Sequence, residues 1–184
     1  IRLTIKINTN GWASKAASQL KPGQIVGISQ ASGIFTATQS EHPVLLIAGG
    51  SGITPIMAML QSWAQQKQKP NAVLLFSCRT PAEMIFSKEL ETLVHQWPEL
   101  VIKTHFSKDQ GHLNAEHLAN AVPDYGQRET YLCGPMGLME TISDVYKAQG
   151  LSDTLKKEQF SQWQFFVDED AESFDIYKKK KKSN

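Results

Sequence analysis

Residues Val44 to Pro55, VLLIAGGSGITP, join an apolar run to a glycine-rich turn and then to the start of a helix. The five residues 44–48 are apolar without alternation, which is typical of a central strand in a parallel sheet covered on both faces. In the turn, Gly49, Gly50 and Gly52 let the backbone approach a ligand without an intervening Cβ. The stretch therefore predicts a buried strand, a tight turn and a helix, in that order.

The end of this turn has the features of an anion-binding helix start. Pro55 suits the first helical position, and Thr54 before it is a candidate N-cap. Free backbone amides and the helix dipole at such an end favour a pyrophosphate. The pattern departs from G-x-G-x-x-G, because Pro55 stands where the third glycine would fall, and an ordinary strand-to-helix turn is the alternative interpretation.

The composition indicates a protein that handles small molecules. The chain has 184 residues, 41% of them hydrophobic, and a net charge of +1, which gives no electrostatic reason to expect nucleic acid or an anionic membrane as a partner. No apolar run approaches the roughly 20 residues of a transmembrane helix, and the N-terminus lacks the apolar core of a signal peptide. We therefore expect no transmembrane segment and a cytoplasmic location.

Metal centres find little support in the sequence. Two cysteines, Cys78 and Cys133, cannot hold an iron-sulfur cluster, which usually takes four thiolates. His112 and His117 are five residues apart, without a carboxylate or cysteine at ligand spacing, so surface or helix-end roles are favoured. We expect no metal on this chain.

From Val44 onward the pattern alternates between strands and helices, which predicts an α/β fold with a parallel sheet and right-handed crossovers. The predicted strands are 44–48, 72–78, 100–106, 129–133 and 154–160. The predicted helices are 55–67, 86–96, 114–121 and 135–148. Because the carboxyl ends of parallel strands share one edge, three loops are expected there, at 49–55, 79–85 and 133–137.

The two ends of the chain differ from this α/β region. Alternation at Leu3–Ile7 and Gln24–Ser29 predicts short strands in a β-rich segment, residues 1–36. The tail 168–184 is acidic and then carries Lys178–Lys182, which is typical of a solvated or disordered end.

Several motifs together resemble the ferredoxin-NADP reductase family of flavoproteins. They are GGSGITP, YLCGPMGLM at Tyr131–Met139, KPGQIV and SGIF upstream, and KEQF downstream. The resemblance implies the end of an antiparallel FAD-binding β-barrel over 1–38 and a parallel-sheet NAD(P)-binding domain over 39–162. A linker or the start of a truncated ferredoxin domain would occupy 163–184. Reductases of oxygenases and desaturases are the most similar members.

The departures from the family pattern suggest a fragment of a longer reductase. The family's R-x-Y-S segment, which lies against the isoalloxazine, would precede Ile1. Gly11 and Ser14 resemble the remnant of a contact with the FAD pyrophosphate, whereas Ala31 stands where proline is usual. The segment FDIYKK at 174–179 resembles the first strand of a ferredoxin that ends before its cysteines. We therefore expect an incomplete FAD site and any two-iron cluster on a missing segment or a partner.

The resemblance also implies residue roles. Cys133 would lie beside the nicotinamide C4, Thr54 near the nicotinamide and flavin, and Glu158 near the nicotinamide edge. Phe160 would shield the flavin. The implied nucleotide-binding set comprises Gly49, Gly50, Ser51, Gly52, Thr54, Pro55, Gly134, Pro135 and Met136. As bare sequence, without the CGP context, Cys133 is more typical of a buried structural thiol, Phe160 of a core ring and Glu158 of a solvated charge.

Cofactor choice depends on the charges around the adenosine 2′ position. A ribose diol is usually bound by an acid near the end of the second strand. Here that strand ends at Arg79, with no acid until Glu83. Ser107 and Lys108 stand where NADPH-using relatives carry Ser-Arg, although lysine lacks arginine's bidentate geometry. These residues favour NADPH over NADH, and plain surface charges are the alternative.

The expected activity is transfer of a hydride from NAD(P)H to FAD, and then of electrons to a two-iron ferredoxin-type centre that serves an oxygenase or desaturase. One alternative is an NADH-dependent flavin reductase or flavohaemoglobin-type reductase. Another is a dinucleotide-binding module without catalysis.

Overall fold

The computed structural model describes residues 3–7, 11–27, 30, 33–37 and 42–159. Residues 35–160 form one compact unit, and residues 1–34 belong to a second. Phe160, Ala31 and the whole tail, including FDIYKK, lie outside the described residues. None of the helices in the described part is long and apolar enough to cross a bilayer.

The larger unit is built on a five-stranded sheet in the order β3-β2-β1-β4-β5, and every neighbouring pair is parallel. Its strands are β1 (Val44–Gly49), β2 (Ala72–Cys78), β3 (Leu100–Phe106), β4 (Glu129–Cys133) and β5 (Leu155–Glu158). The helices of the chain are α1 (Trp12–Ser18), α2 (Ile53–Ala64), α3 (Ser87–Gln96), α4 (Ser107–Gln110), α5 (Ala115–Ala121) and α6 (Met136–Ala148). The predicted parallel α/β architecture is therefore confirmed.

The central strand β1 is buried along its whole length, which explains its uninterrupted apolar sequence. Its alternate side chains enter two different cores. Val44, Leu46 and Ala48 share one core with residues of α2 and α3. Leu45 and Ile47 share the other with residues of α5 and α6. The sheet is thus the middle of three layers.

A buried arginine ties together the amino ends of the central strands. The Arg128 side chain is 9% exposed and forms a bidentate pair with Asp124, with Nε to Oδ1 at 3.0 Å and Nη2 to Oδ2 at 2.7 Å. Its Nη1 also donates to Asn71 Oδ1 at 2.9 Å and to the carbonyl of Val44 at 3.4 Å. These bonds join the first residue of β1 to the segments that precede β2 and β4, at the edge opposite the three predicted loops.

Two short segments differ from their predicted structure. Residues 3–7 and 24–27 form no strand, and Leu3 and Ile25 are 70% and 100% exposed. An extended segment becomes a strand only when a neighbour satisfies its backbone groups, and no described residue before Val44 pairs in this way. Between these segments the chain forms the helix α1 at Trp12–Ser18, which the alternation did not predict.

Candidate functional site

The turn after β1 is shorter than the predicted loop 49–55. Gly50 has φ +50, and Gly50–Gly52 form a single 3-10 turn. This turn leads directly into α2, which begins at Ile53, so Pro55 is its third residue and not its first. Proline still fits, because a first-turn amide needs no intrahelical acceptor.

Thr54 does not cap the helix as predicted. It lies inside the first turn of α2, and its hydroxyl donates to the carbonyl of Ser51 at 3.0 Å. A hydroxyl that donates in this way keeps lone pairs with which to accept a hydrogen bond from a ligand. Thr54 is half-buried.

The turn after β1 packs against the turn after β4, backbone on backbone. A Cβ on Gly49 would lie 2.7 Å from Pro135 Cδ and 2.6 Å from Leu138 Cδ2. A Cβ on Gly134 would lie 3.1 Å from the Cα of Gly49. The side of Gly50 is open, with nothing within 4 Å of an added Cβ. Glycines 49 and 134 are thus required by contact between the two turns, and Gly50 by its positive φ.

Cys133 ends β4 directly beside this contact. In the sheet register it lies between Ala48 of β1 and Glu158 of β5. Its side chain is fully buried, and burial, with a smaller effect of the Glu158 carboxylate, raises the pKa of the thiol to about 12. Cys133 is therefore a neutral thiol at physiological pH. Glu158 itself is half-buried.

The second turn continues into α6. Pro135 is extended, with φ −62 and ψ 155, and α6 begins at Met136. Met136 is 55% exposed, and its sulfur accepts a hydrogen bond from Gln159 Nε2 at 3.1 Å. This bond connects the start of α6 to the chain just after β5.

The predicted adenosine-recognition residues are close together. The backbone amide of Lys108 donates to the carbonyl of Arg79 at 3.1 Å, which joins the end of β2 to the start of α4. Both side chains are exposed, and Ser107 is half-buried. The first acid after β2, Glu83, lies on an exposed 3-10 turn at Pro81–Glu83 and accepts from Thr80 Oγ1 at 3.4 Å.

Ser14 belongs to the smaller unit. It lies in α1, and its hydroxyl donates to the carbonyl of Gly11 at 3.0 Å. Its implied contact with FAD remains a prediction, as does the role of Phe160, which lies outside the described residues.

The sequence interpretation missed two residues at this edge. Leu138, in the first turn of α6, contacts the positions of both Gly49 and Gly134. His105 is 4% exposed, and its ring bonds to the carbonyl of Gly111. No sequence signal marked the burial of His105, because Val101 and Lys103 on the same face of β3 are exposed.

The sequence profile of the oxidoreductase NAD-binding domain family matches residues 46–144, which cover β1 to α6. The chain belongs to this family. The resemblance to the ferredoxin-NADP reductase family is therefore confirmed.

Relatives support the same family. The chain is 32% identical over 163 residues to an NADPH oxidoreductase of Mycobacterium tuberculosis. The aligned region covers 88% of this chain and 43% of the relative. The chain is 29% identical over 152 residues to the ferredoxin reductase component of a 3-ketosteroid-9-alpha-monooxygenase from Rhodococcus rhodochrous, covering 82% and 43%. The chain therefore spans less than half the length of these two relatives.

The fold is also that of a solved ferredoxin-NADP+ reductase. The H286L mutant of the Plasmodium falciparum enzyme, crystallised with 2′P-AMP, superposes with a TM-score of 0.69 at 18% identity. The superposition covers 82% of this chain and 66% of the enzyme. At this identity the likeness concerns the fold alone.

Proposed function

We propose that this chain binds NAD(P)H across the carboxyl edge of its sheet and serves an FAD-linked oxidoreductase. The observation that carries the proposal is the backbone contact between the turns after β1 and β4, made through Gly49 and Gly134. Strand order reverses between these two strands, and ligands of open parallel sheets bind at such a point.

The expected orientation of the nucleotide follows from the chemistry along this edge. The turn at Gly50–Gly52 and the first amides of α2 suit the pyrophosphate. The adenosine end then extends toward Arg79 and Lys108, and the nicotinamide toward Cys133. Arg79 and Lys108 follow β2 and β3 on one side of β1, and Cys133 ends β4 on the other side.

NADPH is the preferred nucleotide in this proposal. Two cations, Arg79 and Lys108, are joined through their backbones, and both side chains are exposed. A 2′-phosphate gains a charge-assisted contact from such cations, whereas a ribose diol offers them nothing comparable. The relative named an NADPH oxidoreductase supports the same choice.

At the nicotinamide end, each residue has a limited task. NADPH supplies the hydride when it is bound. The Thr54 oxygen, already a donor to Ser51, is free to accept from the carboxamide. The Cys133 thiol is neutral and belongs to the buried core behind the nicotinamide end, and the Glu158 carboxylate beside it is a further acceptor. Placement, more than proton transfer, is the role of this edge.

We propose that the FAD site is incomplete in this chain, as the sequence predicts. Ser14 bonds within α1, and Leu3 and Ile25 are exposed rather than packed in a barrel. We propose that the whole protein holds FAD and passes electrons to a two-iron ferredoxin-type domain or partner in the cytoplasm, which the monooxygenase-component relative supports.

Two measurements test the proposal. Calorimetric titration of this chain is expected to show saturable binding of NADPH, weaker binding of NADH and weak binding of FAD. In the whole flavin-loaded protein, stopped-flow mixing with NADPH is expected to bleach the flavin. Cys133→Ala is expected to slow this step more than it weakens binding. Nucleotide binding without flavin reduction would instead indicate a non-catalytic module, and faster reduction by NADH would indicate a flavin reductase or flavohaemoglobin-type enzyme.

A further inference from the structure

The turn that carries Lys108 is closed by a buried histidine. His105 lies at the end of β3, is 4% exposed, and bonds through Nε2 to the carbonyl of Gly111 at 2.8 Å. Because a carbonyl only accepts hydrogen bonds, Nε2 carries the proton. Because α4 lies between the two bonded residues, the bond connects the end of β3 to the residue that follows α4.

Two further bonds define the same turn. The amide of Phe106 donates to Gln110 Oε1 at 2.8 Å, and the amide of Lys108 donates to the carbonyl of Arg79 at 3.1 Å. Gly111 has φ +74 and ψ −176, a conformation that residues other than glycine rarely adopt. The backbone of Lys108 therefore lies in a turn held by three hydrogen bonds, one of which is the closure between His105 and Gly111.

A second histidine ring also contacts the ring of His105. The ring of His117, in α5, packs on it with centroids 4.6 Å apart and planes 53° apart. The backbone of His117 is held by its amide, which donates to the Asn114 side chain that caps α5. The ring of His105 thus has two contacts, the Gly111 carbonyl and the His117 ring.

We propose that His105 is a positioning residue for recognition of the adenosine 2′-phosphate. It does not touch the ligand. It holds the turn so that Lys108 stands beside Arg79, and this lets the two cations act on one phosphate. The inference rests on the proposed nucleotide site. It adds a buried residue that affects specificity without touching the ligand.

The test compares adenosine 2′,5′-bisphosphate with adenosine 5′-monophosphate by calorimetry of the full chain at fixed salt, since only the first carries the 2′-phosphate. His105→Phe keeps a ring but removes the donor, whereas His105→Gln keeps an N–H near the place of Nε2. His95→Phe, an exposed histidine of α3, is the matched control.

We expect His105→Phe to lower affinity for the bisphosphate about five- to ten-fold, the effect of one lost hydrogen bond, and to leave the monophosphate unchanged. His105→Gln is expected to restore most of the preference, and His95→Phe to match the wild type. Equal losses for both ligands, or an intact preference in His105→Phe, would overturn the inference.

Two further measurements apply if His105→Phe does not fold. Gly111→Ala acts on the acceptor side of the same bond, at an exposed position with nothing within 4 Å of the added Cβ, and is expected to reduce the preference similarly. An NMR spectrum of the imidazole nitrogens is expected to show the proton of His105 on Nε2. An unchanged preference in Gly111→Ala, or a proton on Nδ1, would refute the closure.

The wild-type chain separates the two proposals. If it binds both ligands equally, the 2′-phosphate site is wrong and the role of His105 is rejected with it. If it prefers the bisphosphate and His105→Phe does too, the site stands and only the role of His105 is wrong.

Discussion

Gly52 lies against the carbonyl group of Cys133 with no room for a side chain between them. A Cβ on Gly52 would lie 2.5 Å from that carbonyl carbon and 2.7 Å from the amide nitrogen of Gly134. Real Cβ atoms do not approach backbone atoms so closely, so any larger residue has to push the turn after β1 away from the turn after β4. The proposed nucleotide surface consists of these two turns in contact.

Gly52→Ala is therefore expected to weaken binding of NADPH and NADH together and to lower the free energy of unfolding. The matched control is Gly137→Ala, in the first turn of α6, where nothing lies within 4 Å of an added Cβ. There alanine is expected to be neutral or to stabilise by up to about 1 kcal/mol through helix propensity. Calorimetry and chemical denaturation check both variants, and wild-type binding by Gly52→Ala would contradict the contact.

Lys108→Ala is expected to weaken NADPH binding roughly ten-fold and to leave NADH nearly unchanged, since only NADPH carries the extra phosphate. The backbone bond from residue 108 to Arg79 survives the substitution, so the turn keeps its shape. Lys103→Ala, an exposed lysine in the middle of β3, is the control and is expected to bind both nucleotides like the wild type. Dissociation constants are compared at one salt concentration, because screening reduces the difference. Equal losses for the two nucleotides would place Lys108 on their shared pyrophosphate.

Stability in alkaline solution is expected to depend on Cys133. Its pKa of about 12 in the folded chain exceeds the value near 8.5 of an exposed thiol. Between these values the unfolded chain binds fewer protons, so stability falls as pH rises, by up to about 1.4 kcal/mol per pH unit. Urea denaturation from pH 7 to 10.5 is expected to show a shallower decline for Cys133→Ala than for the wild type. Parallel declines would show that the thiol titrates normally.

Acid stability is expected to depend on Asp124. The hydrogen bond from Arg128 holds the pKa of this carboxyl below its ordinary value. A lowered pKa stabilises the fold above the unfolded value near 3.9, and this stabilisation is lost as pH falls below it. Asp124→Asn is thus expected to be less stable than the wild type at pH 6 and to lose less stability between pH 5 and 3. The exposed Asp153→Asn is the control, and a wild-type acid profile for Asp124→Asn would refute this role.

The strands of the α/β unit were predictable because parallel strands buried on both faces have continuous apolar sequences. The run from Val44 shows this pattern without interruption, and β2 and β4 resemble it. The start of α2 was predicted at Pro55, but the helix begins two residues earlier, at Ile53. Proline fits any first-turn position, and the 3-10 turn at Gly50–Gly52 leads directly into the helix. The local sequence pattern therefore predicts where the turn lies but not how many residues it contains.

Contacts between distant residues were beyond the sequence pattern. Gly52 and Cys133 are 81 positions apart, so the glycines were interpreted as room for a ligand, whereas the fold uses two of them to pack one turn on another. The burial of His105 also results from a contact between residues distant in sequence, because it depends on how α5 covers the edge of the sheet. At Leu3–Ile7 alternation alone predicted a strand, but no described segment pairs with it.

The burial of both cysteines makes the protein convenient for fluorescence work. Cys133 is fully buried, and Cys78 is 7% exposed with its sulfur donating to the carbonyl of Thr80 at 3.4 Å. Burial raises the pKa of both thiols, so neither offers a thiolate to a maleimide dye near neutral pH. An engineered surface thiol, such as Ser62→Cys on the exposed side of α2, would then take up the dye alone in the otherwise native sequence.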